Sequence, residues 1–310
     1  MKKLAAGTHI DGFEIGTCLH AGGMAHIYEV TYADHRAAPF AMVMKVPRMT
    51  AGDGAENIVG FEVEHQILQV LHGRHVPRFV AAGDLVTLPY LVMEHVRGDT
   101  LQHVLDQHEQ ARTHPSAQDI ARMGAAIARA AHSLHQQNTC HLDLKPANVL
   151  LHPDGHAVLL DFGLSCHAHY PDLLAEELRK AVGSPAWIAP EQVVGVRGDP
   201  RSDIFALGVM LYELATGELP FGNPTTSGGM RQRLWMDPAP PRSVRNDVPE
   251  WLQEIVLRCL APEANQRYPS AAHLAFDLEH PDQVKITARG QQIERTPFFT
   301  HFKRLSLIHI

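Results

Sequence analysis

Two carboxylates, an amide and an amine are concentrated between residues 143 and 161, in the strings His141-Leu-Asp143-Leu-Lys145-Pro-Ala-Asn148 and Asp161-Phe162-Gly163. Asn and Asp oxygens are hard ligands suited to Mg2+, a Lys ammonium is a point charge for a phosphoryl group, and the remaining Asp can orient a hydroxyl nucleophile. This is equipment for phosphoryl transfer. An Asp-Phe-Gly tripeptide alone carries little weight, because an ordinary turn also produces one.

Such groups act together only if a scaffold positions them. Residues from about Phe13 to Met49 alternate apolar and polar positions around Gly22-Gly23, which predicts a twisted hairpin followed by a strand, Phe40 to Val46, with Lys45 near its end. Gly60 to Leu71 has helical spacing, with Phe61, Glu64, Ile67, Leu68 and Leu71 on adjoining faces, before Tyr90 to Met93 returns to strand. Beyond Gly98 the texture becomes helical. Ile120, Met123, Ile127, Ala131 and Leu134 recur at helical intervals, and Asp203 to Thr216 is apolar enough to predict a helix buried on most sides. Trp251 to Leu260 and Ser270 to Leu278 read as short helices, and the Pro and Gly clusters at 185–200 and 219–241 read as loops. There is no internal repeat.

Composition narrows the classes. In 310 residues, 45% apolar and 20% charged side chains exclude a fibre or an unfolded chain. A net charge of −7 argues against a general nucleic-acid binder, which carries a basic surplus. Protonation of the 22 histidines would reverse the sign of that charge, so the surface potential is expected to depend on pH. The pairs His132/His135 and His167/His169 lack an accompanying Cys, Asp or Glu cluster and are read as surface side chains, not metal ligands. Cys18, Cys140, Cys166 and Cys259 are scattered without a CxxC spacing, which indicates neither a disulfide framework nor a zinc site and fits a reducing, cytoplasmic setting. Cys166 is read as an inert buried thiol, with oxidation as the alternative. No secretory leader and no apolar run long enough for a membrane span are expected.

Taken in order along the chain, these motifs resemble the protein kinase family, in particular the bacterial Ser/Thr kinases of eukaryotic type, over roughly residues 11 to 280. Lys45 on its strand, Glu64 on the following helix, Asp143 and Asn148, Asp161, Ala189-Pro190-Glu191, Asp203 and Arg267 all appear in the family's order. The resemblance implies an α+β, bilobal fold. A small strand-rich N-lobe with one helix would cover about 11–96 and a larger, mainly helical C-lobe about 97–280, followed by a basic tail or linker at 281–310. It implies an ATP-dependent protein kinase using Mg2+ and a protein substrate with a Ser or Thr acceptor.

The resemblance also assigns roles. Lys45 would hold the α- and β-phosphates, kept in place by Glu64 in preference to Glu62. Asp143 would orient the substrate hydroxyl, Lys145 would neutralise the γ-phosphoryl charge, and Asn148 and Asp161 would hold metal. Lys145, two residues after Asp143, is the Ser/Thr form of the loop. Ile27 and Val43 above the adenine, Leu150 below it, Met93 at the back and Glu94 to Val96 along the edge would form the nucleotide site together with Leu19, with Gly22 and Gly23 near the phosphates. Ser184 would bond to the catalytic loop, Glu191 would pair with Arg267, and Asp203 would brace the loop.

Two departures stand out. The Gly-rich loop reads His20-Ala-Gly22-Gly23-Met24-Ala25, with His in place of the first Gly and Ala in place of the last, so weaker or slower nucleotide binding is expected. Leu142 stands where many kinases carry an Arg that receives an activation-loop phosphate, and no Ser or Thr lies between Cys166 and Gly183. Activity independent of activation-loop phosphorylation follows, and the helix-forming stretch 172–180 is read as a helix at the substrate groove. A pseudokinase scaffold and a small-molecule phosphotransferase are the competing readings. The tail, with five basic and two acidic side chains, reads as a packed helix or linker, or as a contact for a membrane surface or partner.

Overall fold

The computed structural model describes residues 3–22, 24–48, 55–84, 88–177, 183–287 and 289–291. Its first lobe is a six-stranded antiparallel sheet, built from β1 (His9–Ile10), β2 (Phe13–Ala21), β3 (Ala25–Tyr32), β4 (Met42–Pro47), β5 (Phe79–Ala82) and β6 (Leu91–Glu94) in the order β1-β2-β3-β4-β6-β5. One helix, α1 (Ala55–Val70), interrupts the strands, as the periodicity predicts. Alternation along β2 and β3 puts Phe13, Ile15, Tyr28 and Val30 on one face, where they pack with Met44 and Val92 in a core of their own.

The second lobe begins with β7 (Asp99–Thr100), α2 (Leu101–Ala111) and α3 (Ala117–Gln136). Thr100 Oγ1 accepts from His103 N and Ser116 Oγ from Asp119 N, so both helices start on side-chain caps. Short strands β8 (Thr139–Cys140), β9 (Val149–Leu151), β10 (Ala157–Leu159) and β11 (Cys166–His167) then carry the motif residues between them. β9 lies between β7 and β10, and β8 pairs with β11. The rest is helical: α4 (Leu173–Glu177), α5 (Pro190–Val193), α6 (Arg201–Thr216), α7 (Ser227–Arg231), α8 (Pro241–Val244), α9 (Glu250–Cys259) and α10 (Ala271–Glu279). From Ser202 to Thr216 only Glu213 of α6 is not buried, matching its largely apolar composition.

The main core crosses from one lobe to the other. Phe61, Ile67 and Leu68 of α1 belong to the same buried cluster as Phe162, Leu134, Phe205 and Leu211. Gly60 and Gly163 approach so closely that a Cβ on either would lie 3.2 Å from the other's carbonyl oxygen. The α1 helix, and with it Glu64, is therefore seated on the Asp-Phe-Gly segment as well as on its own sheet. Among the described residues no helix is long and apolar enough to cross a membrane.

Candidate active site

Lys45 lies on β4 between Met44 and Val46, which are buried on the sheet's core side, so its own side chain projects to the opposite face. There its ammonium donates to Glu64 Oε2 at 2.6 Å and to Asp161 Oδ1 at 3.0 Å. Glu64, and not Glu62, makes this pair; Glu62 instead accepts from Gln66 on the same helix. Burial alone would depress the Lys45 ammonium, but the two carboxylates outweigh it and raise it above its ordinary value. The Lys45 charge is also the main cause that holds Asp161 down to about 2. Glu64 is almost fully covered, whereas the Asp161 side chain remains 42% exposed. Of the two carboxylates, Asp161 is the one with room for a further ligand.

Asp143 is fixed by three neighbours. Lys145 Nζ donates to its Oδ2 at 2.8 Å, Ser184 N to its Oδ1 at 2.8 Å, and Asn148 Nδ2 to its backbone oxygen at 3.0 Å. Lys145 also donates to Ser184 Oγ at 2.9 Å, the bond to the catalytic loop expected of a small hydroxyl residue. Lys145 further acts on Asp161, helping to depress it, so the Lys45 cluster and the Asp143 cluster share one electrostatic environment. Asn148 Oδ1 accepts no hydrogen bond among the described residues. The donor set that results, an amide oxygen and a half-exposed carboxylate, fits Mg2+, which keeps several waters and takes few protein ligands.

The loop carrying Asp143 is held in a costly conformation. Leu142 has φ of 62° and Asp161 φ of 64°, left-handed values that cost a non-Gly residue about 1–3 kcal/mol each. Asp203 offsets this at Leu142: its two oxygens accept from His141 N at 2.9 Å and Leu142 N at 2.8 Å, while Gln192 Nε2 donates to Leu142 O at 2.9 Å. Burial works against the Asp203 charge, but bonds from His135 and the His141 amide leave it below the usual carboxylate range. His135 is thus a correction to the surface reading of its pair: its ring is largely covered and sits 2.9 Å from Asp203. Glu191 receives both Nη atoms of the fully buried Arg267 at 2.7 and 2.8 Å, and Ser202 Oγ at 2.6 Å.

The apolar candidates divide. Val43 and Leu150 are buried, Ile27, Met93 and Val96 are half-buried, and Leu19 is exposed. Ile27 stands opposite Lys45 and Val43 opposite Met93 in the ladder, which brings these candidates to the sheet region around Lys45. Gly98 has φ of 137°, and a Cβ there would lie 2.3 Å from Leu151 O and 2.6 Å from Leu150 Cδ2, so the chain leaving Val96 must pass tightly over this strand. The segment at Glu94 is tethered by Glu94 N to Arg78 O and His95 N to Ala41 O. Gly22 closes its hairpin through Ala25 O, and the His20 ring stands where a Gly22 side chain would be. Gly23 lies outside the described residues. A hollow of about 830 Å³ is lined by Leu68, Leu71, Arg78, Glu94, His95 and Val96, so it takes in the Glu94 to Val96 segment, but it is not lined by Lys45, Glu64, Asp143, Lys145 or Asp161.

Three bracing residues carry no signal in the sequence. Gln192 is one. Arg197 donates to Asp172 Oδ2 at 2.7 Å and Leu164 O at 2.8 Å. Arg233, fully buried and pushed down to about 10 by burial, donates to Pro185 O and Ile188 O at 2.7 and 2.5 Å. Each serves backbone carbonyls or a distant side chain, partners that only the tertiary fold defines.

The family model for the protein kinase domain matches residues 13–277. The chain is 29% identical over 292 residues to serine/threonine-protein kinase PknB of Mycolicibacterium smegmatis, covering 91% of this chain and 46% of that protein. It is 30% identical over 272 residues to PknB of Mycobacterium leprae, covering 86% and 42%, and 26% identical over 267 residues to a probable serine/threonine-protein kinase of Clostridium perfringens, covering 86% and 38%. The chain thus spans less than half the length of these relatives. Its strand-rich and helical lobes, its shared interlobe core and the extent of the match identify it as a member of the protein kinase family.

Proposed function

We propose that this chain transfers the γ-phosphoryl group of ATP to Ser or Thr hydroxyls of a protein substrate. The observation that carries the reading is the Asp143 carboxylate, held by Lys145, Ser184 N and Asn148 while Lys145 also acts on Asp161. Asp143 orients the acceptor hydroxyl and takes its proton as the oxygen attacks. Lys145, already paired with Asp143 and acting electrostatically on Asp161, balances the charge that develops on the transferring group. Lys45 binds the donor's α- and β-phosphates, and Glu64 keeps its ammonium charged and oriented. Asn148 and Asp161 would hold Mg2+, which when bound neutralises phosphate charge. Ile27, Val43, Leu150 and Met93, with Leu19 at the rim, would enclose the purine along Glu94 to Val96. The kinase domain spans about 11–280, its lobes meeting near 96–97, and the basic stretch 281–310 is a tail whose residues from 292 onward lie outside the described residues.

Activity does not require a phosphate on the activation loop in this reading. Leu142 is buried, Ser165 is buried with Oγ bonded to His141 O, and the Arg197–Asp172 pair already ties the loop down at Leu164. The predicted helix over 172–180 is α4, over Leu173–Glu177; 178–182 lie outside the described residues. The pseudokinase reading is favoured by one observation, the His20 ring at Gly22. Radiolabelled γ-phosphate transfer to the chain itself and to a generic basic protein, with Asp143→Asn as control, separates the two. Phosphoserine or phosphothreonine that disappears in the variant supports the kinase; nucleotide binding without turnover by the wild type supports the scaffold.

A further inference from the structure

β8 leads into the catalytic loop and β11 leaves the Asp-Phe-Gly segment, and in their antiparallel pairing Cys140 stands directly opposite Cys166. Directly opposed residues in such a ladder have Cα atoms about 4.5 or 5.5 Å apart, depending on the hydrogen-bonding register, and point to the same face. Both separations fall within the 4.4–6.8 Å that a disulfide spans. The two side chains therefore stand on one face of the ladder, within bridging reach of each other.

Their surroundings differ in a way that assigns an order. Cys140 is buried, whereas Cys166 is partly open to solvent. The neighbouring Cys140 thiol and the nearby Arg197 guanidinium favour the Cys166 thiolate and hold it below its ordinary range, despite opposing desolvation. Arg197 is itself pinned by Asp172 and Leu164 O, so this positive charge has a fixed place. Cys259 is fully buried on α9, and Cys18, on β2 in the other lobe, bonds to His20 O. The sequence reading of Cys166 as an inert buried thiol does not describe this environment.

We propose that Cys140 and Cys166 are a peroxide-responsive dithiol, with Cys166 the attacking thiolate and Cys140 the resolving thiol. The Cys166 sulfur attacks one peroxide oxygen, the O–O bond breaks, and a sulfenic acid forms as the other oxygen leaves as water (an alcohol from an organic peroxide) after taking up a proton. The Cys140 sulfur then attacks the sulfenic sulfur, its proton leaving with the departing hydroxide as a second water. The two thiols supply two electrons, the peroxide is reduced, and one S–S bond replaces two S–H bonds. The bridge ties the strand entering the catalytic loop to the root of the activation segment, so oxidation restrains the segment without displacing it. The proposal stands on the register of this strand pair and not on the catalytic reading, and its test needs no turnover.

The reduced full chain, treated with equimolar hydrogen peroxide, blocked with alkylating reagent and digested without reduction, is expected to yield one cross-linked peptide joining Cys140 to Cys166, lost on dithiothreitol treatment. Hydrogen exchange over 139–140 and 166–167 should slow in the oxidised form. Cys140→Ser should leave a dimedone-reactive sulfenic acid at Cys166, and Cys166→Ser should leave Cys140 unoxidised. The wild-type map alone decides if a variant folds poorly. Sulfinic acid at Cys166 without the linked peptide, a link to Cys18 or Cys259, or two unreacted thiols in the folded chain would overturn the proposal.

Discussion

Asp203 alone bonds two consecutive amides of the catalytic loop, and Gln192, Ser184 and Arg267 add further bonds around it, nearly all away from solvent. The hairpin at Gly22, in the other lobe, is tied by Ala25 O and by Arg48 donating to Gly22 O, with Met24 and Leu19 exposed beside it. In the proposed reading, the half of the site that would handle the acceptor hydroxyl is built into the fold, while the Gly22 loop that would approach phosphate is a thin hairpin. Sequence departures can accumulate in the second without threatening the first. The His20 substitution lies in the hairpin, whereas Asp143, Lys145 and Asn148 are all present in the catalytic loop, whose departure is Leu142.

The largest effect that can break this contrast is on stability. Asp203→Ala leaves the buried His141 and Leu142 amides unpaired and releases a left-handed Leu142, at a cost of about 3–5 kcal/mol. The urea midpoint should fall with the slope unchanged; an unmoved midpoint would mean that the loop is braced by something else. Glu64→Gln removes the charge that orients Lys45, on the scale of a charged hydrogen bond of about 1.5–3 kcal/mol, so kcat/KM for ATP should drop about 10- to 100-fold with little change in melting temperature. An equal loss of stability would make Glu64 part of the fixed half.

Much of this site is readable from residue type because the chemistry leaves few options: Lys45, Asp143, Asn148 and Asp161 are the groups phosphoryl transfer needs, in a fixed order. The Lys45 strand and α6 were also legible, the one by alternation and the other by a largely apolar run. The braces were not. A carbonyl such as Leu142 O accepts from any donor the fold delivers, so nothing near Gln192 in the chain marks it. The left-handed Leu142 is equally silent, since Leu has no preference for that region. His135 looked like surface because Asp203, which covers it, is far away in the chain. The start of α1 at Ala55 precedes the predicted Gly60 because Glu56 and Asn57 add no apolar repeat.

Two smaller effects sharpen the comparison. Burial raises the Glu213 carboxyl on α6 to about 7, with the Trp187 indole pulling the other way. Between pH 4.5 and 7 the folded chain therefore holds a proton that the unfolded chain releases, and this contribution to stability is lost as pH rises through that window. Glu213→Gln should flatten the decline by about 2 kcal/mol in denaturation curves taken at pH 5 and 7; identical slopes would show that Glu213 is hydrated. His20→Gly clears the ring from Gly22 and should tighten ATP about two- to threefold by calorimetry, about 0.5 kcal/mol. Weaker binding would instead make His20 a contact for the nucleotide.

In the proposed kinase reading, donor-binding and acceptor-handling groups serve one reaction from separate supports. Single-turnover phosphoryl transfer with Mg2+, measured beside ATP affinity for the wild type, Lys45→Met and Asp143→Asn, addresses it most directly. Asp143→Asn should bind ATP like the wild type yet transfer about 10²- to 10⁴-fold more slowly, while Lys45→Met should lose both affinity and rate. A wild-type transfer rate in Asp143→Asn, or no transfer by the wild type itself, would contradict the account.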